Sequence, residues 1–456
     1  MTTRADRRSF LRLLGGAAAA AGAAAATPAA AQTDSPRLAT GPGSAAGLTA
    51  PRLGTIRWGL IGIGARGLSH LEQLLLLEGC AITALCDTHP PALARGLDAI
   101  ARAGRPAPAT SGDGPEAWRR LVERPDVDAV LVSTPWEQHV PQAVAAMRAG
   151  KHAFVEVPAA VTLEECWQLV EVAEATRRHC MMLENVCYGR EELMVLNMCR
   201  QQLFGDLTHA EGAYIHDLRA QEQEIDWGTG SWRVPHYERR NGNLYPTHGL
   251  GPVAQYLNIN RGDGFTRLSS MSSPALGHAQ YAAREFPEGH LRRRATYVCG
   301  DMNTSLIQTA LGRTILVQHD VSTPRPYSRL NFVQGTRGAF GGFPNRIAVE
   351  GRTDVHRWDT DMARWYAEFD HPLWKTVGEA AVKAGGHGGM DFVMLWRLVS
   401  CLRTGQPLDQ DVYDAAAWSA VGPLSEQSVA RRGEAVDVPD FTRGAWKTTA
   451  PLGIVS

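Results

Sequence analysis

Between residues 56 and 185, short apolar runs recur with room for a helix between successive runs. IRWGLI covers 56–61, AITALC ends at Cys86, VDAVLVST covers 127–134, Ala153 to Val157 follows, and CMMLEN ends at Asn185. Runs of this length without alternation predict strands covered on both faces, as in a parallel sheet. The stretches between them carry helical spacing. Leu68, Leu71, Leu74 and Leu75 share one face after the first run, and 140–149 follows the third. Thr162-Leu163-Glu164-Glu165 forms a capping box that opens the helix after the fourth. Past about residue 190 the alternation changes. LTHAEGAYIHD (207–217), ATYVCGD, NTSLIQTAL, TILVQHD and LNFVQG read as strands without intervening helices. Such a meander predicts an open, mostly antiparallel sheet packed against helices. Helical patterning returns at roughly 390–403 and 412–430, helices predicted to run back toward the first half.

The first run leads directly into Gly62-Ile63-Gly64-Ala65-Arg66-Gly67, and a helix pattern follows. An acidic residue, Asp87, ends the second run, 20 positions beyond Gly67. Strand, glycine turn, helix and distant acid together make the dinucleotide-binding fingerprint. Gly62 allows the tight turn, Gly64 lets a pyrophosphate approach the backbone, and Gly67 lets helix and strand pack closely. Asp87 suits the adenosine ribose hydroxyls and repels a 2′-phosphate, so NAD is favoured over NADP. The loops at the ends of later runs share the crevice address: Trp136, Glu137, Gln138 and His139, then Glu156 and Val157, then Asn185. The expected fold class is α/β, an N-terminal Rossmann dinucleotide-binding domain (55–188) and a C-terminal α/β domain (189–456).

With 456 residues, two domains are the natural expectation, and a net charge of −1 offers no electrostatic footprint for nucleic acid. The N-terminus stands apart. Arg7-Arg8-Ser9-Phe10-Leu11, a Leu/Gly/Ala run to Ala26 and Ala29-Ala30-Ala31 before Gln32 read as a twin-arginine export signal over 1–31. Residues 32–54 are expected to be a flexible lead-in. That route implies a periplasmic or extracellular protein and the twin-arginine machinery as a partner. Because the route carries folded proteins, it also implies a cofactor bound tightly enough to be carried along. The eight cysteines contain no C-x-x-C pair and sit mostly in apolar segments, so buried thiols are expected rather than disulfides or a metal site.

GLIGIGARG and STPWEQHVPQAVAAMRAGKHAFVEVP resemble the glucose–fructose oxidoreductase/inositol dehydrogenase family. MMLENVCYGREELMVLNM, HAEGAYIHDLR, RNGNLYPTHGLGPVAQYLNINRGD and TPRPYSR resemble one branch of it, the NAD-dependent α-N-acetylgalactosaminidases of glycoside hydrolase family 109. The resemblance implies that NAD is held by Gly62, Gly64, Ala65, Arg66, Gly67, Asp87, the Trp136–His139 segment, Glu156, Val157 and Asn185. It implies that the sugar meets Tyr214, Arg233, Tyr245, Pro246, Thr247, His248 and Tyr327, and that the open sheet pairs in a homodimer. Where the resembling dehydrogenases carry lysine, this chain has Val157, which cannot move a proton.

A glycan or glycoconjugate ending in N-acetylgalactosamine is the implied substrate. No carboxylate pair is marked out for ordinary glycoside hydrolysis. Oxidation of the sugar at C3 instead acidifies the C2 proton, a base removes it, and the C1 group leaves by elimination. Water then adds and C3 is reduced again, so the cofactor is recycled. His248 is the expected principal base, with Tyr245 and Tyr327 sharing proton transfer or orientation. His209, His216 and His319 are expected to be structural. His387, in Gly-Gly-His-Gly-Gly, fits either a mobile loop near the sugar or a surface turn. The alternatives are an NAD-dependent sugar dehydrogenase with net NADH formation, which the missing lysine disfavours, and a non-catalytic sensor.

Overall fold

A computed structural model describes residues 43–455; the export signal expected over 1–31 and the expected lead-in up to residue 42 lie outside the described residues. Six short strands form the first sheet: β1 (Ile56–Ile61), β2 (Cys80–Cys86), β3 (Ala109–Ser111), β4 (Ala129–Val132), β5 (His152–Val155) and β6 (Cys180–Met182). They lie in the order β3-β2-β1-β4-β5-β6 with every pair parallel. Strand order reverses at β1, so the crevice for a dinucleotide opens at its carboxyl end. All of β4 and β5 is buried, which is why those runs show no alternation.

The second sheet has eight strands: β7 (Leu207–Ile215), β8 (Phe265–Ser272), β9 (Asn303–Thr309), β10 (Thr314–Asp320), β11 (Phe332–Gly335), β12 (Gly338–Gly341), β13 (Arg346–Val349) and β14 (Val436–Asp437). Their order is β13-β12-β11-β7-β10-β9-β8-β14. Only β7 and β10 pair in parallel; the other pairs are antiparallel. The helix Thr247–Tyr256 covers one face, while Met271 and Leu306 stand exposed on the sheet.

Several expectations need correction. The second half is not a helix-free meander, because helices Thr229–Arg239 and Thr247–Tyr256 lie between β7 and β8. All of Thr247–Tyr256 except His248 is buried, so it has no polar stripe by which periodicity could reveal it. ATYVCGD is not a strand. The amides of Val298 and Cys299 both donate to the Tyr237 carbonyl, which takes them out of any ladder. Trp136–His139 is not a loop but the first turn of a helix, Trp136–Arg148, whose N-cap is Pro135. The described part of the lead-in is packed rather than loose. Ala45 and Leu48 are buried, and the Ala45 amide donates to the Tyr413 hydroxyl.

The late helices Met390–Thr404 and Val412–Ala430 both pack on the first sheet's layer. The second of these also packs on β8, so one buried helix joins the two sheets. The Thr162–Glu165 capping box forms in both directions. All eight cysteines are free thiols.

Candidate functional site

The glycine turn after β1 has the shape a dinucleotide requires. Gly62 has φ +85°, and a Cβ there would lie 2.6 Å from the Ser133 carbonyl oxygen. A Cβ on Gly67 would overlap the Gly62 carbonyl oxygen, whereas one on Gly64 would meet nothing within 4 Å. The open side of the turn is therefore at Gly64, in front of the helix Ala65–Leu76. No side chain caps that helix and no acid sits in its first turn, so its N–H groups face the opening. The Asp87 carboxylate accepts from the Ile63 amide (2.6 Å) and the His89 amide (2.7 Å), fixing it beside the turn. Open space, free helical N–H groups and a fixed acid are the features an NAD molecule needs.

The wall beyond β5 is a cluster of charges. Arg66 donates to Glu156 (3.0 Å) and to Asp391 (2.9 Å), and His70 Nε2 also contacts Glu156. Asn185 donates to the other Asp391 oxygen at 2.6 Å. Burial would raise the Glu156 and Asp391 carboxyls, but Arg66 and the imidazoles of His70 and His387 outweigh it and hold both well below the usual range. Both are therefore fixed anions. Val157, 3 % exposed, stands next to this cluster with no proton to move. His139 is turned away from the opening, its ring nitrogens 2.8 Å from the Pro158 and Thr134 carbonyl oxygens. A neutral imidazole donates to only one of these. Gln138 is exposed and Glu137 largely so.

Across the crevice the second domain brings Tyr214, Arg233, Tyr245, His248 and Tyr327 into one cluster. The ring of Tyr214 lies 4.6 Å from Tyr245, 5.4 Å from His248 and 6.5 Å from Tyr327. Tyr245 stacks toward Trp136 at 5.9 Å, and the Arg233 guanidinium sits over both rings at 4.9 and 5.1 Å. Arg233 is buried, with its Nε unpartnered. A pair of glycines sets the position of His248. Gly212 of β7 and Gly249 of the helix touch backbone to backbone, where a Cβ on either would overlap the other chain segment. His248 Nδ1 lies 2.7 Å from the buried Glu184 carboxylate, leaving Nε2 toward the aromatic cluster. Pro246 caps the same helix and Thr247 begins it, buried. Tyr327, 41 % exposed, is held from behind. Arg329 donates to its hydroxyl (3.0 Å) and to Glu192 (2.7 Å).

Comparison with known proteins decides the family. Residues 188–448 match the family described as "Glycosyl hydrolase 109, C-terminal domain", and residues 56–184 match "Oxidoreductase family, NAD-binding Rossmann fold". A glycosyl hydrolase family 109 protein of Shewanella amazonensis is 58% identical over 452 residues, covering 99% of each chain. An alpha-N-acetylgalactosaminidase of Shewanella oneidensis is 57% identical over 453 residues, covering 98% of each. The chain belongs to glycosyl hydrolase family 109.

It is an NAD-dependent glycoside hydrolase built on a dehydrogenase fold. The fold is shared with levoglucosan dehydrogenase, solved with NADH, at 18% identity, a TM-score of 0.64, and coverage of 85% of this chain and 100% of that one. It is shared equally with an NAD-binding oxidoreductase from Klebsiella pneumoniae, at 18% identity, a TM-score of 0.66, and coverage of 85% and 99%.

Sequence reasoning passed over four residues that this family 109 site contains. Glu184 directly precedes Asn185 at the end of the fifth run, the one signal that pointed to it. Asp391 is one turn beyond His387, and His70 one turn beyond Arg66. His216, expected to be structural, lies 3.1 Å from the Tyr214 hydroxyl and edge-on to Tyr327. His387 sits 2.9 Å from Asp391, in a segment where residues 385–389 all have positive φ. That conformation accounts for the four glycines around it. A cavity of about 660 Å³ opens beside it, lined in part by Arg190, Trp374 and Lys383. His209 lies apart from the cluster, whereas His319 is the ladder partner of Tyr214 between β10 and β7, with neither ring nitrogen hydrogen-bonded. His209 contacts Thr314, and burial lowers His319 to about 3.

Proposed function

We propose that this family 109 enzyme releases terminal α-linked N-acetylgalactosamine by oxidation at C3, elimination across C2 and C1, water addition and re-reduction, with no net redox change. The relative that carries the name alpha-N-acetylgalactosaminidase supports the substrate. One observation carries the mechanism: among the described residues, the only group of the aromatic cluster paired with a carboxylate is His248, and the residue on the opposite wall is Val157. NAD held against the glycine turn and Asp87 would supply the oxidant for C3 and the hydride for its re-reduction. The remaining work falls to side chains.

Burial pushes the Tyr245 phenol well above its ordinary value and raises Tyr214 too, with Arg233 opposing in each case. Both stay protonated and orient hydroxyls by hydrogen bonds. An imidazole can take a proton at neutral pH, and Glu184 fixes which nitrogen His248 presents. His248 is thus the base at C2. Arg233, with an unpartnered Nε, clamps sugar oxygens, and Tyr327 with Arg329 behind it assists the leaving group.

The test is a nitrophenyl α-N-acetylgalactosaminide incubated with purified protein in deuterated water. Nitrophenol should appear with deuterium at C2 of the product and without accumulation of NADH. Hydrolysis with C2 fully protiated would sink the elimination route, and NADH formed at every turnover would favour a dehydrogenase. Twin-arginine export belongs to the same proposal, and Arg7→Lys with Arg8→Lys should hold the protein in the cytoplasm. So does a homodimer through the sheet face bearing Met271 and Leu306, which Leu306→Arg should split on sizing columns.

A further inference from the structure

The chain between β7 and β8 does more than carry Arg233 into the crevice. Trp227, just before the helix Thr229–Arg239, is 43 % exposed, yet its indole stacks on His89 with centroids 4.6 Å apart and planes 21° apart. Arg95 lies 5.1 Å from the same indole. His89 is two residues beyond Asp87 and donates its amide to that carboxylate, so the stack stands at the adenosine end of the NAD site. Its ring Nδ1 is buried and has no hydrogen-bond partner.

The same segment also touches the first domain on the other side of the glycine turn. Trp232 meets Trp136 edge-on at 5.2 Å, and His236 Nε2 lies 3.1 Å from Glu137. That contact, with help from Arg239, holds the Glu137 carboxyl down at about 2. In the sheet, β2 and β4 flank β1, so the turns after them stand on either side of the glycine turn. A segment anchored at His89 on one side and at Trp136 and Glu137 on the other therefore crosses the crevice. Its own turn is fixed: the Glu224 carboxylate accepts from the Gly230 amide at 2.5 Å, and Gly228 (φ +105°) leaves room for that carboxylate.

We infer that Trp227 and His89 form a latch at the adenosine end of the NAD site. The segment from Trp227 to His236 holds the dinucleotide in its crevice, and NAD leaves only when the stack opens. The inference deepens the proposed function, which needs a cofactor retained from one turnover to the next. It also gives a physical means of retention that the glycine turn alone does not supply.

The test uses full-length protein loaded with isotopically labelled NAD, chased with excess unlabelled NAD, with no sugar present. Trp227→Ala should speed exchange by at least about tenfold, while Trp227→Phe, which keeps a stacking ring, should stay within about threefold of the parent. Arg95→Ala should fall between them. Exchange by Trp227→Ala at the parent rate would overturn the latch. So would equal acceleration in the Ala and Phe variants, or acceleration matched by a lower melting temperature of the NAD-free protein. A protein that holds labelled NAD but leaves the glycoside intact would instead overturn the proposed function and leave the latch standing.

Discussion

The two walls of the crevice use polar side chains in opposite ways. On one wall, Arg66, His70, Glu156 and Asn185 of the first domain and Asp391 of the late helix Met390–Thr404 pair with one another through charges and hydrogen bonds. On the second, Tyr214, Arg233, Tyr245, His248 and Tyr327 touch mainly through ring faces and edges, and hydrogen-bonding atoms are left over. A network whose carboxylates are all engaged can hold a geometry but has no carboxylate to spend on a substrate. An unsaturated cluster costs desolvation and is ready for one. A dehydrogenase keeps its proton-moving lysine on the first wall. With Val157 there, the proposed mechanism puts acid–base work on the second domain and cofactor binding on the first.

The strongest way to break that comparison is to remove the base. His248→Ala should lower kcat by about 10²–10⁴-fold in the nitrophenyl assay while NAD content stays at the parent level. A loss of less than about tenfold would return proton transfer to another residue.

The first wall is tested through stability. Asp391→Asn leaves Arg66 with one carboxylate instead of two and should cost about 3 kcal/mol in urea unfolding. Glu156 and Asp391 have folded-state values below their unfolded ones, so the native state binds fewer protons and stability rises with pH. That contribution is complete above about pH 4.5 and lost as the pH falls below about 4. The variant should show a shallower acid limb than the parent.

Gly249→Ala sharpens the comparison from the packing side. Its Cβ would overlap the Ala213 amide, forcing the helix that bears His248 off β7. A destabilisation of about 1–3 kcal/mol is expected, with a fall in kcat and unchanged NAD content. Tyr327→Phe should have the smallest effect. It removes a half-exposed hydroxyl held by Arg329 and should reduce kcat/KM by about tenfold, read with the same substrate.

Much of the first domain was legible because its signals are local. The glycine turn and the Thr162–Glu165 box each depend on residues close in sequence, and each formed as read, with Asp87 fixed beside the turn. The Tyr-Pro-Thr-His run was recognisable as a phrase, but its helix was not. Buried on nearly every side, Thr247–Tyr256 carries no periodic contrast. Glu184 was passed over because no residue near it in sequence is its partner, and Asp391 because only one of its partners, His387, is local. The partner of Glu184 is His248, and the distant partners of Asp391 are Arg66 and Asn185, all on other elements.

By itself, then, the chain's order of residues determined a parallel nucleotide-binding sheet, its preference for NAD, and the absence of a lysine at 157. These follow from strand run lengths, from a turn only glycine can make, and from one charge. Tertiary structure alone decided that Glu184 orients His248, that Asp391 locks Arg66, and that Trp227 reaches His89. Each of those pairs is distant in sequence and meets only because β7, the helix Thr247–Tyr256 and the late helices fold against the first sheet. Burial then gives the paired groups their charge states, and that step has no local signature.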